Sequence, residues 1–332
     1  MRAKLKIILK TKDEGFLIEP WLRYYSALIG AENIIVYDDY STLPSVLSVY
    51  EKYSNSVDIR KLPQDQHMTR KIPKEHHQVS KVDRLHTFNP LKEELKDSCD
   101  YYTILDTDEF LCFFNYEKQE VDNSMLMAFI KDNSDRNAFL TSWINNVYYG
   151  ADFTSIFDVT NFNLRTVNPR LGKSIVTASG EAGGNITHNI SLGFRDKKIP
   201  LKFSPELLLL HLQDVNWESR ILSRINFAKS FDLEFKDIPE LLELCRLEGT
   251  VFPSYMKKDL LGYYEDKENF LIRKSGASRS ANLPILRTDI LEASIFGKKS
   301  TSSFLNFDEN FAEYLTGKFK EGFKETNKFL FD

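Results

Sequence analysis

Asp106 and Asp108 are the residues of this sequence best spaced to do chemistry: with Thr107 between them they form the only Asp-x-Asp in the chain. On extended backbone alternate side chains point the same way, so the spacing predicts that both carboxylates face one divalent cation or its water shell. Mg2+ or Mn2+ held by one or two carboxylates completes its coordination with phosphate oxygens. Such an ion stabilises the negative charge that collects on a nucleoside diphosphate as its bond to a sugar breaks. The acids Asp106, Asp108 and Glu109 follow the apolar run YYTIL and precede FL. Charges flanked by buried apolar residues need partners or a ligand, and Glu109 is expected to orient the turn. The competing reading is a structural cluster of acids that caps neighbouring helices.

The elements that must position these acids alternate along the chain. LKIIL (Leu5 to Leu9) reads as a buried strand opening into the polar loop TKDEG. In EPWLRYYSALIG, Trp21, Leu22, Tyr25, Leu28 and Ile29 recur at helical spacing and Gly30 supplies a stop. NIIVYDDYST is again an apolar run that empties into acids, at Asp38 and Asp39. A helix over Pro44 to Tyr53 and a strand over Val57 to Leu62 repeat the unit. Further on, the pattern predicts a helix ending near Cys99, the strand YYTIL, a helix from Asn123 to Lys131 and a strand from Ala138 to Ile144. A Gly- and Asn-rich region with β character runs to Asn189, followed by the run PELLLLH ending in His211 and a helix from near Asn216. Alternation of this kind predicts an α/β fold with a mixed, mostly parallel sheet flanked by helices. Ligands of such sheets bind at the rim formed by the carboxyl ends of the strands. Lys12, Asp13, Glu14, Asp38 and Asp39 should therefore share one rim with Asp106. Residues 1–235 read as this unit and 236–332 as a mainly helical C-terminal extension.

His188 and His211 each fall near the end of a β-like run, where a neutral imidazole could complete a metal shell with Asp108. The alternative for either is a hydrogen-bonded core histidine. His67, His76 and His77 lie in a long polar segment and read as solvated. Lys173 and Arg170 lie close to the expected rim and could pair with diphosphate oxygens, against the alternative of a surface lysine on a strand. Neither GxxxxGK[ST] nor a dinucleotide fingerprint is present: the glycines of SGEAGGN do not follow a strand and open a helix.

ILDTDEFL resembles the I-D-x-D-E-F-L signature of glycosyltransferase family 2-like proteins, close to the family 92 type. Other segments are similar in the same order: LKTKDEGFLIEPWLRYY, NIIVYDDYST, SWINNVYYG, GKSIV and HLQDVNWESR, spanning Leu5 to Arg220. Asp13 stands where the family has Asn, Tyr25 where His is common, and no acid follows Thr42. The resemblance implies a GT-A type Rossmann-like fold, a nucleotide-sugar donor (a UDP-sugar above all), Mn2+ or Mg2+, and inversion at the anomeric carbon. It places Asp13 and Glu14 near the donor base or ribose and Asp38 or Asp39 on uracil or ribose. Inverting transfer needs a carboxylate base opposite the leaving phosphate. Asp152, after YYG where the family has its acceptor loop, and Glu181, in the glycine-rich SGEAGGN, are the candidates, with solvated loop acids as the alternative. The acceptor class would be a glycan or a lipid-linked sugar, as in surface polysaccharide or glycoconjugate synthesis. A sugar nucleotidyltransferase, or an inactive carbohydrate-binding assembly protein, would be built from similar parts.

Composition narrows the field. Hydrophobic residues make up 42% of the 332 and charged residues 28%, which is enough to bury a large core and leaves no long disordered stretch. A net charge of −4 gives no nucleic-acid footprint. Cys99, Cys112 and Cys245 contain no CxxC, which argues against a disulfide scaffold and a thiolate zinc site and for a reducing, cytoplasmic setting. The last segment, NFAEYLTGKFKEGFKETNKFLFD, is amphipathic, with Phe311, Leu315, Phe319 and Phe323 four residues apart. It reads as a helix docked on its own domain, or as one lying on a membrane surface near lipid-linked acceptors.

Overall fold

The computed structural model describes residues 4–62, 89–146, 163–169, 171–179, 202–212, 216–229, 235–247, 249–250, 252–275 and 305–328. The first half alternates β1 (Leu5–Thr11), α1 (Ile18–Ile29), β2 (Ile34–Asp38), α2 (Pro44–Tyr53), β3 (Asp58–Lys61), α3 (Asn89–Ser98) and β4 (Tyr101–Leu105). It continues through β5 (Glu109–Asn115), β6 (Glu120–Val121), α4 (Leu126–Asp132), β7 (Ala138–Asn146), β8 (Leu164–Asn168), β9 (Ser174–Thr177) and β10 (Lys202–His211). Four helices follow, α5 (Trp217–Lys229), α6 (Ile238–Arg246), α7 (Ser254–Glu265) and α8 (Lys267–Ser275), and then β11 (Leu305–Asn306) and α9 (Glu309–Lys328).

The strands form one sheet in the order β3-β2-β1-β4-β9-β7-β10-β5-β6, with β8 on β7 and β11 on β8. The pairs among β3, β2, β1 and β4 are parallel, as is β7 with β10, and the remaining pairs are antiparallel. Followed across the sheet, only β9, β5 and β8 run against β1, so eight of the eleven strands point one way. This is the mixed, mostly parallel, Rossmann-like sheet expected from the alternation. The carboxyl ends of β1, β2, β4, β7 and β10 consequently share one rim. β4 and β5 stand four places apart in the sheet order, about 19 Å if it were flat, yet only Asp106, Thr107 and Asp108 join them. The sheet must therefore curl, and it curls around those acids. β9 pairs with Tyr101 and Tyr102 of β4 on one side and with Ala138 to Leu140 of β7 on the other. It wedges the lower halves of these strands together and ends, toward the rim, at Lys173.

Buried apolar side chains gather in two clusters. The larger takes in the strands, α1 and, from the far end of the chain, Phe307, Phe311, Ala312, Leu315 and Phe319. The smaller, around Trp217, Ile221, Leu241, Met256, Leu260 and Phe270, is the core of α5 to α8. Trp217 and Ile221 of α5 belong to this second cluster, and the last segment returns to the sheet. β11 pairs with β8, and Thr316 Oγ1 accepts the Leu164 N–H at 3.0 Å. The expectation of membrane contact through α9 is corrected accordingly, because its apolar face, up to Phe319, is buried against its own sheet. No helix among the described residues is long and apolar enough to cross a membrane.

Gly322 marks a close contact of α9 with Val121. A Cβ there would lie 2.5 Å from Val121 Cβ and 2.9 Å from its carbonyl oxygen, whereas at Gly317 it would meet nothing within 4 Å. Gly322→Ala is expected to lower stability by about 1–3 kcal/mol through overpacking. Gly317→Ala, relieved of the helical glycine penalty, should raise it by roughly 0.5–1 kcal/mol. Equilibrium urea denaturation reads both, and stabilisation by both variants would show that the helix does not pack as described.

Candidate functional site

Between β4 and β5 the chain makes a tight turn in which the Glu109 N–H donates to the Asp106 carbonyl at 3.1 Å. The acids therefore sit on a turn and not on the extended backbone assumed from their spacing, and they are displayed unequally. The Asp106 side chain is 61% exposed, that of Asp108 is 25% exposed, and Glu109 is fully buried. α1 grips this turn by its backbone. Trp21 Nε1 donates to the Asp106 carbonyl (3.1 Å), and Tyr25 Oη donates to the Glu109 carbonyl (2.9 Å) while accepting the Leu111 N–H (2.7 Å). Tyr24 Oη donates to the Leu111 carbonyl at 2.6 Å and accepts from Asn123 Nδ2 at 3.0 Å.

Lys173 enters from beneath. Its side chain is only 3% exposed, and its Nζ lies 2.9 Å from Asp106 Oδ2 and 3.3 Å from Glu109 Oε2. Burial pulls the ammonium down, but the two carboxylates outweigh it and hold its pKa above the usual lysine value. This lysine neutralises acids from below, and it is not the surface lysine of the alternative reading. Glu109 also accepts the Asp106 N–H on Oε2 (2.8 Å) and the Trp143 Nε1–H on Oε1 (3.1 Å). Three donors converge there, the surroundings of an anion. Burial works the other way and pushes the carboxyl up to about 8 in spite of Lys173.

Asp108 pairs with His211, whose Nε2 lies 3.3 Å from Asp108 Oδ2, while Nδ1 faces Asn145 Oδ1 at 3.2 Å. Trp143 stacks on the imidazole with ring centroids 4.1 Å apart and planes 11° from parallel. Burial opposes both charges, but each partner holds the other ionised. The Asp108 carboxyl is brought down to about 2 and the His211 imidazole is raised.

Around the rim, Glu14 turns toward these acids and accepts from Ser223 Oγ of α5 at 3.3 Å. Burial first, then the negative charge of Asp108, raise its carboxyl to about 7 against the pull of Ser223 and Arg224. Asp13 has φ 53°, in the left-handed region that Asp tolerates better than most residues. Its N–H donates to Ser41 Oγ (2.9 Å), and its Oδ1 accepts the Thr42 (2.7 Å) and Leu43 (2.9 Å) N–H groups that lead into α2. Asp38 is buried, accepts the Ser41 N–H at 3.0 Å and the Tyr50 hydroxyl at 3.3 Å, and is ion-paired with Lys61. Both carboxylates take part in building the loop at the rim. Asp39, with Oδ2 3.8 Å from Lys10 Nζ, and exposed Lys12 remain at the surface of the rim. Asp152, Glu181 and His188 lie outside the described residues.

Several participants were not singled out from the sequence. Trp143 and Asn145 come from SWINN, where the turn from apolar to polar residues at the end of a strand was the available signal. Arg220 and Arg224 of α5 bring Nε to within 3.4 and 3.2 Å of Asp259 Oδ2, and Asp259 is buried. Only the packing of α5 on α7 brings these three together.

Among the described residues no group of three or more His, Cys, Asp or Glu side chains is gathered to hold a metal ion. A two-residue set is present. Ligands about 2.1 Å from Mg2+ and at right angles to each other lie roughly 3.0 Å apart, close to the separation of Asp108 Oδ2 and His211 Nε2. Mg2+ ordinarily takes one or two carboxylates and fills its shell with water and phosphate oxygens. An oxygen and an imidazole nitrogen at this separation suit Mn2+ better than Mg2+, whose ligands are oxygens.

No protein-family model matches the chain, and no curated protein matches it in sequence. Among solved structures, it is similar to a 4-diphosphocytidyl-2C-methyl-D-erythritol synthase from Anaerococcus prevotii, with 9% identity, a TM-score of 0.26, and 82% of this chain and 97% of that one covered. A mannose-1-phosphate geranyltransferase from Thermus thermophilus matches with 9% identity, a TM-score of 0.25, and coverage of 88% and 68%. Likeness of this degree does not extend to substrate or chemistry.

The raised imidazole of His211 gives a pH signature. Its folded-state pKa lies above the usual 6.5, so the stability it contributes is complete below that value and is lost as pH rises through the folded one. Wild type should exceed His211→Gln in stability by a larger margin at about pH 6 than at about pH 9. Asp108→Asn should flatten that difference. A margin that is constant across the two pH values in urea titrations would contradict the ion pair.

Proposed function

We propose that this chain is a metal-dependent, inverting glycosyltransferase that takes a sugar from a nucleoside diphosphate donor. The observation that carries the reading is the Asp108–His211 pair at the rim, 3.3 Å apart, beside the exposed carboxylate of Asp106. The segments that resemble glycosyltransferase family 2-like proteins are far apart in sequence, yet they meet here. They supply Glu14, Trp21, Tyr25, Asp106 to Glu109, Trp143, Lys173 and His211.

Asp108 and His211 would hold the Mn2+ or Mg2+, with the Asp106 carboxylate beside them, and the bound ion supplies charge neutralisation to the departing diphosphate. Lys173 and Glu109 keep the turn in shape when the donor is absent. Lys12, Glu14 and Asp39 line the rim where the base and ribose of a UDP-sugar would lie, with Asp13 and Asp38 shaping the loop behind them. Asp152 or Glu181 would take the proton from the attacking hydroxyl of a glycan or lipid-linked acceptor. Exposed Lys12, in the loop directly after β1, favours a second reading, nucleotidyl transfer to a sugar phosphate, because such enzymes receive a nucleoside triphosphate at a basic loop there. The Asp13 N–H of that loop, however, is already bonded to Ser41 Oγ.

Thermal-shift measurements with UDP-, GDP- and CDP-sugars, with and without Mn2+, test the proposal. Stabilisation is expected only when a sugar nucleotide and the metal are present together. Asp108→Ala should abolish that shift and lower transfer by at least about 100-fold while the fold survives. Stabilisation by a nucleoside triphosphate with Mn2+ but by no sugar nucleotide would favour the second reading. Full transfer activity in Asp108→Ala would sink the first.

A further inference from the structure

We propose that Arg220 and Arg224 of α5, held by Asp259 of α7, form an anion subsite that faces the acid turn and takes the diphosphate of the donor. The inference begins with helical spacing. Arg220, Ser223 and Arg224 lie three and four residues apart, so they share one face of α5. Ser223 Oγ donates to Glu14 Oε1 at 3.3 Å, which turns that face toward the rim. The charge of Arg220 accordingly reaches Asp108 and His211, and that of Arg224 reaches Glu14. Only residues 212–216 separate His211 from α5. Leu212 donates its N–H to the Asp108 carbonyl at 2.7 Å, and Asn216 Oδ1 caps the helix by accepting the Ser219 N–H at 2.8 Å. The positive end of the helix dipole thus adds to the charge of the two guanidiniums.

Both guanidiniums are held in place by the protein itself. Their Nε atoms lie 3.4 and 3.2 Å from a single oxygen, Asp259 Oδ2. Arg220 lies over the Trp217 ring, 5.2 Å from its centroid, and Arg224 over the Tyr255 ring at 4.9 Å. With side chains 13% and 19% exposed, they are largely desolvated yet keep some surface. A fastener between α5 and α7 would need one arginine for the one carboxylate. Here a second like charge is kept beside the first at a cost: burial, and then Arg220, lower the Arg224 guanidinium from its ordinary value against the pull of Asp259. Asp108 is matched by His211, and the Glu14 carboxyl, raised by burial to about 7, is only partly charged at neutral pH. The pair therefore carries more positive charge than its surroundings offset. A diphosphate supplies the missing negative charge, and its oxygens suit the planar fork of arginine. Lys173, committed to Asp106 and Glu109 beneath the turn, acts from the other side. Naming the anion as the donor's diphosphate rests on the proposed transfer reaction; the anion subsite itself does not.

Calorimetry with inorganic pyrophosphate and with UDP, both in EDTA, tests the subsite apart from any metal or transfer step. Wild type should bind both. Arg220→Gln and Arg224→Gln should each weaken binding by about 10–100-fold, the loss that follows removal of one charge-assisted contact. Each single variant leaves the other arginine on Asp259, so the buried carboxylate keeps a partner and the fold is expected to persist. Arg220→Lys and Arg224→Lys keep the charge without the fork, and should fall between wild type and the Gln variants. Wild type that does not bind pyrophosphate would overturn the proposal, whether or not any variant folds. So would folded Gln variants of unchanged affinity, the result of a purely structural role. Weakening confined to pyrophosphate, with UDP unaffected, would overturn the assignment to the donor. Pyrophosphate binding that falls in the Gln variants, in a protein that no sugar nucleotide with Mn2+ stabilises, would support the anion subsite and count against the transfer reaction.

Discussion

A lysine ammonium with almost no exposed surface, wedged between Asp106 and Glu109, is the interaction on which the turn depends. Two carboxylates on consecutive sides of a tight turn repel each other, and one of them is fully buried, so without a cation beneath them the turn would open or take up protons. Lys173 is delivered by the end of β9, a short strand that pairs only with the lower parts of β4 and β7. The wedge therefore holds the strands together below and places a positive charge where they part. Glu109 is satisfied from three directions, one of them the Asp106 N–H, so the charge set and the backbone shape support each other.

Asp108 at the turn and Glu14 on the neighbouring loop have a second set of partners from the opposite side. His211 holds Asp108, while Ser223 and Arg224 of α5 act on Glu14. Because α5 belongs to the second apolar cluster, the site lies where the sheet meets the helical unit. Asp259, buried on α7, anchors Arg220 and Arg224 there. Burial of this many charges is tolerated because nearly every one has an opposite neighbour, which a packed apolar interface alone could not provide.

Much of the architecture could be read in the chain because short-range pattern controls it. YYTIL, LKIIL and NIIVYD are continuous apolar runs that end in acids, and they became parallel strands with their acids at one rim. Pro44 to Tyr53 became a helix over those same residues. What pattern did not reveal depends on pairings between distant residues. The sheet order puts β9 beside β4, although some seventy residues separate Tyr102 from Val176, and nothing local in GKSIV signals that its lysine is buried. The family resemblance implies nucleotide contacts for Asp13 and Asp38, and their bonds within the loop were not legible from it. Whether such an acid faces solvent or caps a neighbouring helix depends on where Thr42, Leu43, Tyr50 and Lys61 end up, which only tertiary packing decides. The amphipathic pattern of α9 likewise fitted two destinations, and the pairing of β11 with β8 selects the sheet.

The grip of α1 on the turn acts through main-chain atoms: the indole of Trp21 and the hydroxyls of Tyr24 and Tyr25 hold carbonyls and an amide of the segment Asp106 to Leu111. Groups that every amino acid carries thus hold this loop alongside the charges on Lys173, Asp106 and Glu109. Beyond the acids tied to Lys173, residues at this rim can change during evolution while the main-chain grip persists, so a lineage could trade one ligand chemistry for another while inheriting the same scaffold.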